Sequence, residues 1–192
     1  MSNPGTWHES QPDKQVPWSE AMDAWSGAVQ SELEKVASRY GASITYGELA
    51  EAIQRATGYR TRTQLGNWIG KVLDVVVRRT LAEDLPPLTA LVVHKGTGGV
   101  GDGYYNRKHA QYTLTDDGER QRVAAEDRLA CYRMYCDSVP TNAAPQMTQL
   151  FRARDAARSS VRKPERQEQS CPNCYIVVPL TGECDTCGWT SR

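Results

Sequence analysis

Four cysteines near the C-terminus constrain this chain more than any other feature of its sequence. They form two CxxC pairs, Cys171 with Cys174 and Cys184 with Cys187, with nine residues between the pairs. Four thiolates at this spacing can close a tetrahedron around Zn²⁺. A segment of about 22 residues buries too little apolar surface to fold by itself, so a metal must supply its folding energy. We therefore predict one structural zinc ion bound by these four cysteines.

Two other uses of paired cysteines stay open, namely two disulfides or a redox-active pair. We favour zinc, because a thioredoxin-like site requires a βαβ context that this sequence lacks. The segment over 171–192 resembles a zinc ribbon, in which residues 175–178 form a strand, residues 179–182 form a turn and Trp189 covers the metal. Since all four ligands are thiolates, we expect a structural ion and a docking surface for nucleic acid or protein.

Charge is balanced over the whole chain but not along it. The 192 residues contain 23 Lys and Arg and 23 Asp and Glu, a length that suits one domain plus a small module. Residues 1–54 carry 3 basic and 8 acidic side chains, whereas residues 55–79 carry 6 basic and 1 acidic. The basic segment either faces a polyanion or packs against the acidic segment before it.

Apolar periodicity predicts three helices in the first half of the chain. Apolar residues recur every three or four positions from Trp18 to Tyr40, which predicts a long helix. Thr45 and Glu48 form a capping box that starts a second helix. A third helix is predicted to start near Thr61 or Thr63, with one apolar face and one polar face. The polar face contains Gln64, Asn67, Lys71, Asp74 and Arg78.

The second half of the chain predicts a strand, a hairpin and a further helix. Residues 88–93 read as a buried strand, the glycine-rich residues 96–103 as a turn, and residues 104–105 as the start of a return strand. A fourth helix is predicted from Thr115 to Cys136. It places Val123, Ala130 and Met134 inward, and Cys131 and Cys136 as small buried side chains.

This order of elements predicts an α+β fold. It consists of a winged helix-turn-helix domain with flanking helices and a small C-terminal zinc ribbon. The predicted boundaries are a flexible arm over 1–17, the winged-helix domain over 18–137, a basic linker over 138–170 that a short helix over 148–162 interrupts, and the ribbon over 171–192.

In a winged helix the third helix enters the major groove and the hairpin touches the backbone, which predicts double-stranded DNA as partner. Gln64 and Asn67 can bind adenine, and Arg62 and Lys71 can reach guanine or phosphate. The remaining candidate contacts to the DNA backbone are Arg60, Thr61, Thr63, Lys95, Arg107 and Lys108.

Residues 44–105 resemble the winged DNA-binding domain of O6-alkylguanine-DNA alkyltransferases and their alkyltransferase-like relatives. The resemblance is carried by the sequence ITYGELA over 44–50, by Gly66 and Gly70 in the following helix, and by the order of proline, strand, glycine and tyrosine after it. It implies that Tyr46 helps to hold the backbone of a target nucleotide. The family's arginine that fills the space of a flipped base has Asn67 near its position here.

The chain departs from that family at the acceptor motif. The family has Pro-Cys-His-Arg before the wing, whereas this chain has PPLTALVVH over 86–94 and no cysteine from 1 to 130. Alkyl transfer is therefore excluded, and the resemblance implies DNA binding only.

The first residues contain no basic or apolar leader, and no stretch reaches the roughly 20 apolar residues of a membrane helix. We therefore expect no membrane anchor and a cytoplasmic protein. The predicted function is a DNA-binding regulator or adaptor of a bacterium or phage, without enzymatic activity. The alternatives are a protein-interaction module that captures a host factor, and a metal-dependent nuclease around His94, His109 and Asp102.

Overall fold

A computed structural model describes residues 5–104, 117–161, 170–179 and 182–190 of the chain. These residues fold into α-helices and small β-sheets. Two compact units are distinguished, Met1–Asp155 and Ala156–Arg192. No described helix pairs the length with the apolar character that a membrane crossing requires. The helices are α1 (Trp18–Ala37), α2 (Tyr46–Thr57), α3 (Ile69–Ala82), α4 (Asp117–Tyr135) and α5 (Gln149–Val161). The strands are β1 (Thr6–His8), β2 (Gln11–Gln15), β3 (Ile44–Thr45), β4 (Tyr59–Thr61) and β5 (Val92–Val93).

Helix α1 provides the centre of the core, as its apolar stripe predicts. Trp25, Val29 and Leu33 are fully buried, and helices α2, α3 and α4 all pack against α1. The Trp25 and Trp68 rings lie 4.4 Å apart between centroids. The indole N–H of Trp25 donates a hydrogen bond to the carbonyl of Tyr59 at 3.2 Å, so its one polar atom is satisfied.

Helix α2 begins at the predicted capping box. The Thr45 hydroxyl accepts a hydrogen bond from the amide of Glu48 at 3.2 Å, and the Glu48 carboxylate accepts one from the Thr45 amide at 2.9 Å. These hydrogen bonds hold the pKa of Glu48 below its usual value. Gly58 ends α2 in the left-handed region, with φ of 73°.

The N-terminal residues form a sheet, which differs from the predicted flexible arm. Strand β1 lies between β2 and β4 in an antiparallel sheet, with Trp7 opposite Arg60. The Arg60 guanidinium forms salt bridges with Glu9 at 2.6 Å and Glu51 at 3.1 Å. The arm is therefore ordered by a pairing between segments about fifty residues apart, which local sequence patterns do not reveal.

Helix α3 starts at Ile69, later than the predicted start near Thr61 or Thr63. Residues 59–61 are drawn into the N-terminal sheet as β4, and Leu65–Asn67 form a short 3-10 helix. Buried Trp68 follows and marks the position where the α-helix begins. The polar residues before Trp68 therefore lie on a loop and a 3-10 turn rather than on a helix face.

The predicted strand over 88–93 is wrong for its first four residues. Leu88–Leu91 form a 3-10 helix, because the Ala90 amide bonds to the Pro87 carbonyl at 2.9 Å. Only Val92–Val93 form a strand, which pairs in parallel with β3. Residues 94–104 contain no strand, and the predicted return strand and wing residues Tyr105, Arg107 and Lys108 lie outside the described residues.

Helix α4 confirms the predicted fourth helix, although Met134 is 52% exposed instead of inward. Val123 and Cys131 are buried as predicted, and burial raises the pKa of the Cys131 thiol to about 12. The amide side chain of Gln121 bonds to both the N–H and the carbonyl of Val100, at 2.9 and 3.2 Å. The glycine-rich loop is therefore fastened to α4.

The first part of the predicted linker packs on the same unit. The Thr148 hydroxyl donates a hydrogen bond to the Gly98 carbonyl at 2.6 Å, and Arg154 donates one to the Gly96 carbonyl. Helix α5 confirms the helix that was predicted to interrupt the linker. Residues 138–155 are thus part of the first unit, whereas residues 162–169 are not described.

Gly98→Ala tests the attachment of the glycine-rich loop to α5. Gly98 has φ of 70°, and a Cβ there would lie 2.6 Å from the Thr148 hydroxyl and 3.0 Å from the Phe151 amide. We expect the free energy of unfolding to fall by about 1–3 kcal/mol in chemical denaturation. Gly41→Ala is the matched control, since Gly41 also has a positive φ, of 81°, and its Cβ would meet nothing within 4 Å. Equal effects of the two substitutions would contradict this attachment.

Candidate metal centre and nucleic-acid interface

The two CxxC pairs come together in the C-terminal unit. Their four Sγ atoms all lie within 4.8 Å of one another, and those of Cys171 and Cys187 are 3.5 Å apart. Sulfurs arranged tetrahedrally at about 2.3 Å from a zinc ion would be about 3.8 Å apart. The predicted grouping of the four cysteines is confirmed, and they could hold one metal ion.

Each CxxC pair lies on a tight turn with the same backbone pattern. The Tyr175 amide donates to the Cys171 carbonyl at 2.8 Å, and the Gly188 amide donates to the Cys184 carbonyl at 2.8 Å. The residue after each turn has a positive φ, 57° at Tyr175 and 68° at Gly188. Glycine adopts this conformation without strain, whereas tyrosine pays a steric cost.

The predicted strand over 175–178 is wrong. The left-handed turn at Tyr175 diverts the chain, and the described residues of this segment form only single bridges, Ser170 with Val177 and Glu183 with Thr190. Trp189 packs against the cysteine cluster, in agreement with its predicted position. Of the predicted turn over 179–182, Leu180 and Thr181 lie outside the described residues.

Hydrogen bonds shift the pKa values of Cys187 and Cys174 in opposite directions. The amide of Trp189 donates to Cys187 and lowers the pKa of that thiol to about 7. The Cys174 thiol donates to Cys187, which raises the pKa of Cys174 to about 12. Four thiolates this close repel one another, so all four can deprotonate together only when a bound cation compensates their charge.

A second candidate site is a cavity of about 490 Å³ in the first unit. One face of α3 supplies its apolar wall, and Tyr46 at the start of α2 closes one side. The charged side chains of Asp74 and Arg78 also line it. The full lining is Tyr46, Gly70, Leu73, Asp74, Val77, Arg78, Leu81, Thr89, Gly103 and Tyr104.

Thr89 lines this cavity and has a buried hydroxyl that is unsatisfied among the described residues. The residue is 8% exposed, and its Oγ1 has no hydrogen-bond partner among the described residues. Buried hydroxyls are normally bonded, because an unmet one costs about 1–3 kcal/mol. Its Oγ1 is shielded from solvent in this conformation, so a ligand could bond to it only after the Thr89 side chain turns toward the cavity. Sequence reasoning missed it, because residues 88–93 read as a strand.

Tyr46 lines the cavity and is bonded to the glycine-rich loop. The Gly101 amide donates a hydrogen bond to the Tyr46 hydroxyl, and burial raises the pKa of that hydroxyl above its usual value. A Cβ on Gly101 would lie 2.8 Å from the Tyr46 hydroxyl, so this close approach requires glycine. The His94 ring lies 4.9 Å from the Tyr46 ring between centroids.

The predicted DNA contacts fall into two groups. Arg60 and Thr61 are used within the fold, since Arg60 bridges two glutamates and the Thr61 hydroxyl bonds to the Gly5 carbonyl at 2.7 Å. The exposed residues of the set are Arg62, Gln64, Asn67, Lys71 and Lys95, while Thr63 is half-buried. Arg62, Gln64 and Asn67 lie on the segment that leads into α3, and Lys71 lies in the first turn of α3.

The predicted nuclease residues do not form a described metal site. His94 is exposed and packs on Tyr46, while the Asp102 carboxylate accepts a hydrogen bond from Arg120 at 2.8 Å. His109 lies outside the described residues. Among the residues that the structure describes, the four cysteines are the one cluster with the donor set of a metal site.

Comparisons with protein-family models, with curated proteins and with solved structures find no match to this chain.

Cys184→Ser tests the metal centre. The variant removes one of four thiolate ligands, so we expect metal content to fall from about one equivalent per chain to well below half. Cys136→Ser is the matched control, because Cys136 lies outside the cluster on the other unit. Elemental analysis of protein purified without chelator gives the metal and its stoichiometry. Less than about half an equivalent of metal in the unmodified chain would contradict the site.

Proposed function

We propose that this protein is a DNA-binding adaptor with a structural zinc ion, and that it acts by binding rather than by catalysis. The observation that carries the proposal is the cavity between Tyr46 and α3, which has apolar walls and the unpaired hydroxyl of Thr89. Exposed basic and amide side chains lie on the segment leading into the same helix. Together these features suit a nucleic-acid backbone outside the cavity and a single base inside it.

The cavity has the chemistry that an extrahelical base requires. Its volume of about 490 Å³ lies in the range of small-molecule sites. Proteins that bind a base outside the duplex enclose it between apolar walls and read its edge by hydrogen bonds. Leu73 and Val77 offer apolar contact, and the Thr89 side chain would turn its unpaired hydroxyl to the edge of the bound base.

The resemblance to alkyltransferase-like proteins supports the same assignment. Tyr46 matches the tyrosine that holds the nucleotide backbone in that family, and it lines the cavity. The segment over 86–94, which replaces the acceptor motif, contributes Thr89 to the cavity wall. A threonine has no thiol to accept an alkyl group, so recognition without transfer follows.

We propose a winged helix in which the elements that form the turn and the wing differ from those predicted. In the proposal, α2, the 3-10 turn at Leu65–Asn67 and α3 are the helix-turn-helix, and the loop over 94–104 takes the place of the wing. Arg62 and Lys71 contact phosphates, while Gln64 and Asn67 lie near base edges. Arg60 is left out, because its guanidinium is bound by Glu9 and Glu51.

Zinc is the proposed metal in the C-terminal unit. Four thiolates at tetrahedral spacing favour zinc over cations that prefer oxygen ligands.

The protein-capture alternative draws support from the same unit, where Tyr175, Ile176 and Val177 are 85%, 41% and 54% exposed. Exposed apolar side chains in a row are typical of a surface that binds protein. A gel shift with random duplex DNA at low salt separates the two functions, since only the DNA-binding proposal expects a shift.

Arg62→Ala combined with Lys71→Ala tests the DNA contacts. Removing two phosphate contacts should weaken duplex binding and reduce the slope of log affinity against log salt by about 1 to 2. Fluorescence anisotropy across a salt series measures both quantities. Lys35→Ala combined with Arg122→Ala removes the same charge from exposed positions on α1 and α4 and should change neither. If the two double variants behave alike, this surface does not bind DNA.

Thr89→Val tests the cavity through two effects of opposite sign. Removing an unpaired buried hydroxyl should raise the free energy of unfolding by about 1 kcal/mol. The same change should lower the preference for a duplex with one unpaired base over a fully paired duplex, by about threefold or more. Thr80→Val is the matched control, since the Thr80 hydroxyl already bonds to the Val76 carbonyl at 3.0 Å. A preference that is unchanged in Thr89→Val would exclude the cavity as a base site.

A further inference from the structure

A second cavity, of about 250 Å³, lies between α4, the residues after α1 and the start of α5. Arg128 on α4 and Arg152 on α5 both line it. Its other lining residues are neutral, so the described part of the chain places no carboxylate in its wall. They are Tyr40, Gly41, Ala125, Leu129, Tyr132, Ala144, Gln146, Met147, Thr148 and Gln149.

Among the described residues, Arg128 is a buried cation without an anionic partner. The residue is 3% exposed, and within the described ranges no carboxylate lies at ion-pair distance from its guanidinium. It donates hydrogen bonds to the carbonyls of Ala90 at 3.1 Å and Gln146 at 3.5 Å. Two carbonyls do not use the five N–H donors of a guanidinium, and buried charges are normally paired.

The nearest acid in sequence, Asp127, is occupied elsewhere. Its carboxylate accepts a hydrogen bond from the buried Tyr104 hydroxyl at 2.7 Å, and it does not line the cavity. Burial lowers the pKa of Arg128, and Asp127 offsets that effect only weakly. A counter-charge for Arg128 is therefore missing from the described fold.

The N-terminus of α5 adds a third positive contribution at the same cavity. Thr148 caps the helix, accepting a hydrogen bond from the Phe151 amide at 3.3 Å, and both Thr148 and Gln149 line the cavity. No acidic residue lies in the first turn of α5. Arg152, on the first turns, instead places a cation at the positive end of the helix dipole. This arrangement is unfavourable unless an anion is bound.

We propose that this cavity binds a phosphomonoester dianion, held between Arg128, Arg152 and the N-terminus of α5. Two guanidinium groups match the charge of a dianion, and their planar forks suit the oxygens of a phosphate. Arg152 is exposed, so the ligand has an entry from solvent, whereas Arg128 forms the buried end. The site is separate from the cavity beside Tyr46 and does not depend on the proposed base binding.

The test is isothermal titration calorimetry of the full-length protein with inorganic phosphate, with adenosine monophosphate and with adenosine. We expect phosphate and adenosine monophosphate to bind with a Kd below about 1 mM, and adenosine not to bind. Arg152→Ala should raise the Kd at least about tenfold, since it removes a charge-assisted hydrogen bond from an exposed side chain. Arg158→Ala is the matched control, an exposed arginine on the same helix that does not line the cavity.

Arg128→Lys provides a second variant that keeps the buried charge. A lysine cannot reproduce the bidentate fork, so phosphate affinity should fall while the thermal transition persists.

A duplex with a terminal phosphate and the same duplex with a terminal hydroxyl distinguish a DNA end from a free phosphomonoester as the source of the ligand. The proposal is overturned if the unmodified protein binds no phosphate below about 1 mM, or if Arg152→Ala and Arg158→Ala have equal affinity.

Discussion

The contact between Trp25 and Trp68 sets the arrangement of the first unit. Both rings are buried, and they belong to segments more than forty residues apart in sequence. The indole N–H of Trp25 also bonds to the Tyr59 carbonyl, so α1 fixes the residues on both sides of the loop that precedes α3. Because Trp68 must point into the core at that place, α3 starts at Ile69, and the polar residues before it are left on the surface.

Elements that local interactions specify were predictable from the sequence. The apolar stripe of α1 and the capping box of Thr45 and Glu48 need only neighbours within a few residues, and both agree with the structure. The N-terminal sheet was not predictable in this way. It depends on pairing of β1 with β4 and on the Arg60–Glu9 salt bridge, which join residues about fifty positions apart. That pairing also places Tyr59–Thr61 in β4, which is why the predicted helix does not start at Thr61.

The two candidate sites also differ in whether local or long-range interactions form them. The cysteine cluster could be predicted, because both halves are short turns whose CxxC spacing fixes where the sulfurs point. The cavity beside Tyr46 could not, because it forms only when β3 pairs with β5 and brings Tyr46 near Thr89 and α3. The Thr89 hydroxyl stands out because it has no hydrogen-bond partner in the described fold. A sequence alone does not show which hydroxyl lacks a partner.

The glycine-rich loop connects the surroundings of the two cavities in the first unit. Gly101 is in contact with Tyr46 at one cavity, and Gly98 accepts a hydrogen bond from Thr148, which lines the other. Between Gly98 and Gly101, the Gln121 side chain bonds to the backbone of Val100. Three positions of the loop are therefore in contact with neighbouring elements. A loop with this many glycines would be expected to sample many conformations, yet here glycine serves close approach. At Gly98, Gly99 and Gly101 a Cβ would lie 2.6, 2.8 and 2.8 Å from a neighbouring atom, so close packing rather than flexibility requires glycine at these three positions.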